Sequence, residues 1–547
     1  MARRMFYGAL AMAVVYAMIF PGNAGAKPKG EIRVAIETMS SETWPGPKAE
    51  YSATVIIMGV TETLLRINSE GEIVPCLAES YEMSPDGKTY TLKIRKGIPF
   101  HEDWGELSAH DVKFSFDLAM AEDSLCIQKG YFVKEIESID VVDDYTVKIQ
   151  MVKPHWDLPT KLIQHSPSFW ITSKKYFDTV GEAKASRHPI GTGPFKFVEH
   201  RLGEYVKLEA VENHWRKTPA VKTVTIKKVP EVATGVAMVR RGIVDLFMIT
   251  PEFIKEVEKI PDAKIIPAWT HELSILLMGQ YLPTAKGYDP SLPYAPHVDE
   301  LHDWRKPETL SDWNSRSLKV RQALDLAVDK ETIIEHVMFG YGKPLEVPLF
   351  FQSYPGFDPA WEPYPYNPEK AKELLAEAGY KPGDIKITLA LTHHTLPLTD
   401  RVAEAIGQYW TELGLDVAYE SMDYVQAFKP RAHDRMMGGY AFSSADPFRF
   451  DYTMYMVYIA YSKSWYGWMF DDPEFDKMMD AAMVELDPTK REKIMNEMGD
   501  YVYKGRLAIP ISYVPRIFAA SSKIKEWPLS PAGAYVACNL EYLVLND

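Results

Sequence analysis

Few residues of this 547-residue chain are of a type and spacing that could do chemistry. His393-His394 is the pair best suited to a metal, but neighbours at a strand end point to opposite faces, so a solvated loop accounts for them better than one shared ion. Cys76, Cys126 and Cys538 are odd in number and fit no zinc spacing, so we read them as buried or unpaired thiols, with a single bridge left open. The run from Pro189 to Phe195 (PIGTGPF) is rich in Gly, yet it contains neither GxxxxGK nor GxGxxG and offers no phosphate cradle. HExxH, G-x-S-x-G and Walker patterns are missing too, which removes the commonest enzyme chemistries. Aromatic rings suit ligand clefts, because they give large contact area at low entropic cost. Tyr461 to Phe470 (YSKSWYGWMF) is dense in them, and Lys463 and Asp471-Asp472 at its flanks argue for a partly exposed segment over a core element. Trp465 and Trp468 are therefore candidate cleft residues. No cofactor is called for.

These residues need elements to hold them. Ile32, Val34 and Ile36 alternate as a strand that ends in a turn-rich loop, Thr38 to Pro47. Ligands of open α/β sheets lie beyond the carboxyl ends of strands, which makes Trp44 in that loop a cleft candidate; the competing reading packs it under its own loop. Tyr90, Leu92 and Ile94 alternate after an Asp86-Gly87 hairpin turn, and Ser108 stands three residues before Asp111 where a helix can be capped. Tyr145, Val147, Ile149 and Met151 form another strand. Further on, Val320 to Lys330 reads as an amphipathic helix, and Pro368 and Gly379 punctuate the next one. Ile385 to Leu391 and Leu415 to Tyr419 alternate on either side of a helical pattern (Val402, Ile406, Tyr409, Trp410, Leu413), the order of a βαβ unit with a parallel sheet.

The length allows two or three domains. Net charge is −14, and removing residues 1–26, which hold Arg3 and Arg4 and no acid, takes it to about −16. That balance excludes the basic stripe of a nucleic-acid binder. The first 26 residues read as an export signal: Arg3-Arg4, an apolar run from Gly8 to Phe20 too short to span a bilayer, and Ala24-Gly25-Ala26 for cleavage before Lys27. Arg3-Arg4 fits an ordinary secretory signal better than a twin-arginine one. No Cys follows to take a lipid, and no other stretch is long enough to cross a membrane.

As a string, Pro75 to Ser115 (PCLAESYEMSPDGKTYTLKIRKGIPFHEDWGELSAHDVKFS) resembles the signature of family 5 extracellular solute-binding proteins. GTGPF, Asn213-His214-Trp215, VRQALDLAVD (320–329) and the helix from Pro368 to Gly379 follow in that family's order. The resemblance implies an α/β, two-lobe periplasmic-binding-protein fold (type II, cluster C-like) with an extra subdomain. Lobe I would comprise 27–270 plus 508–547, with 71–186 as the subdomain, and lobe II 271–507. The chain would cross between lobes near Trp269 and near Ile509-Pro510, which makes Trp269 and His271 cleft candidates; for His271 a plain structural hydrogen bond competes. It further implies a monomeric, non-enzymatic periplasmic receptor of a Gram-negative cell. Such a receptor passes a small organic solute, a peptide or an oligosaccharide, to ABC permease subunits in the inner membrane. A nickel or metallophore receptor and an exported hydrolase are the alternatives. The chain departs from the family in a longer insertion, 281–316, and at Phe442-Ser443-Ser444-Ala445-Asp446-Pro447. In members that take free peptides the position of Ser443 is an Asp that pairs with the peptide ammonium. A serine cannot neutralise that charge. The resemblance thus implies a ligand without a free ammonium, stacked on Trp44, Phe442 and Trp465, unless Asp446 takes over the charge.

Overall fold

The computed structural model describes residues 27–546, apart from 40, 50–52, 54, 55, 69–71, 164–168, 279–315, 351, 353–355, 393–397, 424–426, 429, 432–438, 446–460, 463–471 and 529–538. Alternation in the sequence becomes strand wherever one face can be buried. Strand β1 (Lys29–Ile36) buries Ile32 and Val34. A four-stranded antiparallel sheet follows: β2 (Ala78–Met83), β3 (Thr89–Ile94), β4 (Ile136–Asp143) and β5 (Thr146–Met151), in the order β2-β3-β5-β4. Tyr90, Leu92 and Ile94 point into its core beside Val147 and Ile149, under helix α1 (Ala109–Met120). Asp111 Oδ2 accepts from Ser108 N at 2.9 Å and from Ser108 Oγ at 2.7 Å, which fixes the start of α1 where the sequence puts it.

The chain then lays down β6 (Phe195–Arg201), β7 (Tyr205–Ala210), β8 (Val221–Lys228) and β9 (Leu246–Ile249). Next come the long β10 (Lys264–Met278), α2 (Arg316–Leu326) and α3 (Pro368–Glu377). The chain continues through β11 (Lys386–Thr392), α4 (Thr399–Glu412), β12 (Asp416–Met422) and β13 (Gly439–Ala445) to α5 (Pro473–Val484), α6 (Pro488–Gly505) and the long β14 (Ala508–Ala520). One 11-stranded sheet joins most of these strands in the order β12-β11-β13-β10-β14-β9-β1-β8-β7-β6, with the two-residue strand Lys343–Pro344 also pairing with β14. β11 and β12 are parallel, as their strand–helix–strand order requires.

Two half-sheets therefore meet at β10 and β14. The ends Lys264↔Ala520 lie beside β9 and the first body, whereas Leu276↔Ala508 lies beside β13 and the second. The buried apolar residues follow suit. Two clusters sit on the faces of the first body, two on the faces of the second, and one fills the small antiparallel domain.

One helix differs from expectation. Val320 to Lys330 reads as continuous, yet α2 stops at Leu326, because Asp329 turns its side chain back to accept from Thr332 N at 2.9 Å and starts a separate turn. Cys76 and Cys126 are buried thiols, both pushed up to about 12 by burial; Cys538 lies outside the described residues.

Candidate functional site

The crossing of β10 and β14 is the place where a solute could be held by both bodies. β10 bulges twice there, between Trp269 and His271 and again between Leu273 and Ser274. Leu273, Ile275 and Leu277 pack in the apolar cluster that includes residues of α2 and α4. By alternation Glu272, Ser274 and Leu276 face the other way, and Leu276 joins the cluster that includes residues of α5 and α6.

On the first of these faces a cavity of about 50 Å³ opens between the bodies. The first body lines it with Glu37, Thr250 and Arg516, and the second with Leu273, Met338, Val402 and Val514. Glu37 Oε1 and Thr250 Oγ1 are buried there with no hydrogen-bond partner among the described residues, and burial raises the Glu37 carboxyl above its usual range. The arrangement offers an acceptor, a hydroxyl and, in Arg516, a cation against apolar walls. Among the described residues no three His, Cys, Asp or Glu converge on a point that would hold a metal.

His271 is 2% exposed, with Nε2 3.5 Å from Arg516 Nη2. Burial first, and the Arg516 charge second, hold its imidazole well below the ordinary range, so it stays neutral. Trp269 is 41% exposed, and the Lys343 ammonium sits 4.4 Å from its ring centroid. Both lie where β10 runs beside β14. Trp44 does not, which corrects its place among the cleft candidates. It is 1% exposed, donates from Nε1 to Ala53 O at 2.9 Å, and packs edge-on against Phe197 and His200. Its loop folds back over the sheet because the apolar ring finds more to cover there than at the strand ends.

Phe442 and Ser443 lie on β13, in register with Ile275 and Ser274 of β10. Asp446, Trp465, Trp468, His393, His394 and the 281–315 part of the insertion lie outside the described residues. Glu272, the neighbour of His271 at the same crossing, is 0% exposed, and among the described residues its carboxylate oxygens accept only from Leu349 N, at 3.3 and 3.2 Å. Burial raises it to about 8. Its trace in the sequence is a charged residue inside the apolar run HELSILLM. The Gly-rich PIGTGPF run is structural. A Cβ at Gly191 would lie 2.1 Å from Val60 O, and one at Gly193 2.5 Å from Gly59 O, so the run is a close backbone crossing.

Comparison with known proteins finds the same architecture. The sequence profile of bacterial extracellular solute-binding proteins, family 5 (middle), matches residues 72–479. The heme-binding protein A of Haemophilus influenzae is 28% identical over 489 residues, covering 84% of this chain and 83% of that protein. The dipeptide-binding protein of Escherichia coli is 28% identical over 492 residues, covering 85% of each. Among solved structures, NikA from Brucella suis in complex with Fe(III)-EDTA superposes with a TM-score of 0.77 at 21% identity, over 95% of this chain and 100% of that one, a likeness of fold. Among the described residues no helix is long and apolar enough to cross a membrane.

Proposed function

The chain belongs to the bacterial extracellular solute-binding proteins, family 5, and from that premise we propose that it is the periplasmic receptor of an ABC importer. It captures a peptide or a related organic solute, oligosaccharides included, and delivers it to the membrane permease as a monomer, without chemical turnover. The reading divides the chain into lobe I, 27–270 plus 508–547 with the subdomain 71–186, and lobe II, 271–507. Trp269 and His271 at the crossing, with Phe442, Ser443, Asp446, Trp465 and Trp468 from lobe II, line its cleft. The observation that carries it is the crossing itself. Two long strands joined by hydrogen bonds are, among the described residues, the only sheet contact between two separately cored bodies, and beside them polar groups of the first body face apolar walls of the second. Such a pair of strands is a hinge about which two lobes close on a solute.

The test is mass spectrometry of what leaves the protein, purified from its own periplasm, on denaturation, followed by calorimetry of the apo protein with a di- to pentapeptide pool and an oligosaccharide set. A stoichiometric organic solute that rebinds unaltered is the expected result. A solute that comes back cleaved would make the protein a hydrolase, and absence of any bound or rebinding solute would defeat the receptor reading.

A further inference from the structure

The two bodies also touch far from the crossing in sequence, through the small antiparallel domain. Its β2–β3 hairpin turns at Gly87, and His155 N donates to Gly87 O at 3.0 Å while Tyr90 Oη donates to His155 O at 2.7 Å. The His155 ring is flanked by Asp157, its ion-pair partner, and by Glu135, 3.7 Å from Nε2. Asp157 in turn holds Lys161 Nζ at 2.7 Å and accepts from Tyr131 Oη at 2.9 Å. The loop is thereby pinned on both sides of Trp156.

Trp156 is presented to the second body. Its Nε1 donates to Ala482 O at 2.8 Å, and the guanidinium carbon of Arg491 stands 3.9 Å from its ring centroid. Ala482 lies in the last turn of α5, where carbonyls have no partner within the helix. Arg491, in the first turn of α6, also donates to Glu485 O at 2.8 Å. The ring packs against the second body's apolar cluster, and beside it the hairpin tip meets Leu486 so closely that a Cβ at Gly87 would lie 2.6 Å from Leu486 Cδ2. Both sides of this contact are protein, and swinging the bodies apart would uncover the Ala482 carbonyl and break the stack.

We propose that Trp156 is a latch that sets solute affinity without touching solute: it fastens the small domain onto the α5–α6 corner and holds part of the closing free energy in protein contacts. The proposal rests on the reading of the chain as a two-lobe receptor. Apparent affinity scales with the fraction of molecules already in the binding-competent form, so a weaker latch lowers it whatever the solute is.

The experiment compares wild type with W156F, which keeps an aromatic ring and loses the N–H, and W156A. Small-angle scattering without added solute should give a radius of gyration that grows from wild type to W156F to W156A. Affinity for the unmodified di- to pentapeptide pool should fall about tenfold in W156A, equivalent to about 1.4 kcal/mol, and less in W156F. Superimposable scattering curves for folded wild type and W156F would overturn the latch, and W156F decides alone if W156A does not fold. Should no peptide bind even to wild type, the affinity comparison moves to the oligosaccharide set and the scattering comparison still decides the latch; failure of both sets counts against the receptor reading and leaves the latch to scattering.

Discussion

Glu272 carries a carboxyl into a place that offers it, among the described residues, one backbone N–H and no counter-charge. The folded protein holds its proton up to about pH 8, whereas the unfolded chain releases it near the ordinary value of 4.5. Between those values the native state binds more protons than the unfolded one, so this residue makes the fold less stable as pH rises from about 4.5 to 8. Glu272→Gln keeps the shape of the neutral acid and removes that slope. Urea midpoints of the variant and wild type should nearly coincide at pH 4.5 and separate toward pH 8.5, with the variant more stable by a few kcal/mol; a gap independent of pH would refute the assignment. Trp44 predicts the opposite kind of outcome. As a core ring hydrogen-bonded to Ala53, its replacement by Ala should cost about 3–5 kcal/mol in denaturant unfolding and leave the solute affinity of the folded fraction unchanged. A Trp44→Ala protein of normal stability and lost affinity would restore the cleft reading.

At the scale of elements, the PIGTGPF run is the least forgiving. Gly191→Ala would drive a methyl into Val60 O and Gly193→Ala into Gly59 O, both backbone atoms that cannot step aside. Either variant should unfold the protein or lower its melting temperature by many degrees, seen in a thermal melt, whereas Gly203→Ala, with nothing within 4 Å but a positive φ, should cost only about 1 kcal/mol. Elements whose signals are local were legible in the sequence: the alternation of Tyr90, Leu92 and Ile94, the Ser108–Asp111 box, the Asn367-Pro368 start and Gly379 stop, and the β11–α4–β12 order. What depended on partners distant in sequence was not. Periodicity says that Lys264–Met278 alternates in part, but nothing local says that it pairs with Ala508–Ala520 and bulges at Trp269. The same limit hid Trp156, an aromatic between turn residues whose acceptor, Ala482, lies in another body. Trp44 misled for the complementary reason: a loop beyond a strand is a place for a ligand, yet its ring found Phe197 and His200 instead.

For the whole molecule, the hinge reading carries an energetic requirement. Turning a population from mostly open to mostly closed takes about 5.5 kcal/mol of differential binding, and a micromolar solute supplies about 8 kcal/mol in all. A single solute can therefore close the bodies, and scattering with saturating solute should show a smaller radius of gyration than without; superimposable profiles would refute closure. The place of β14 in the sheet has a further consequence, for the order of assembly. This strand comes near the end of the chain, yet it lies between β9 and β10 and bonds to both. Until it is inserted, the first body's sheet ends at the unpaired edge of β9, while β10 lacks the partner that runs along most of its length. Contacts of such sequence separation form slowly, and an open apolar edge invites association in the meantime. The chain is built to remain unfinished until nearly all of it has emerged. Ending it at Leu507 should abolish the cooperative unfolding transition of both bodies together instead of leaving one intact.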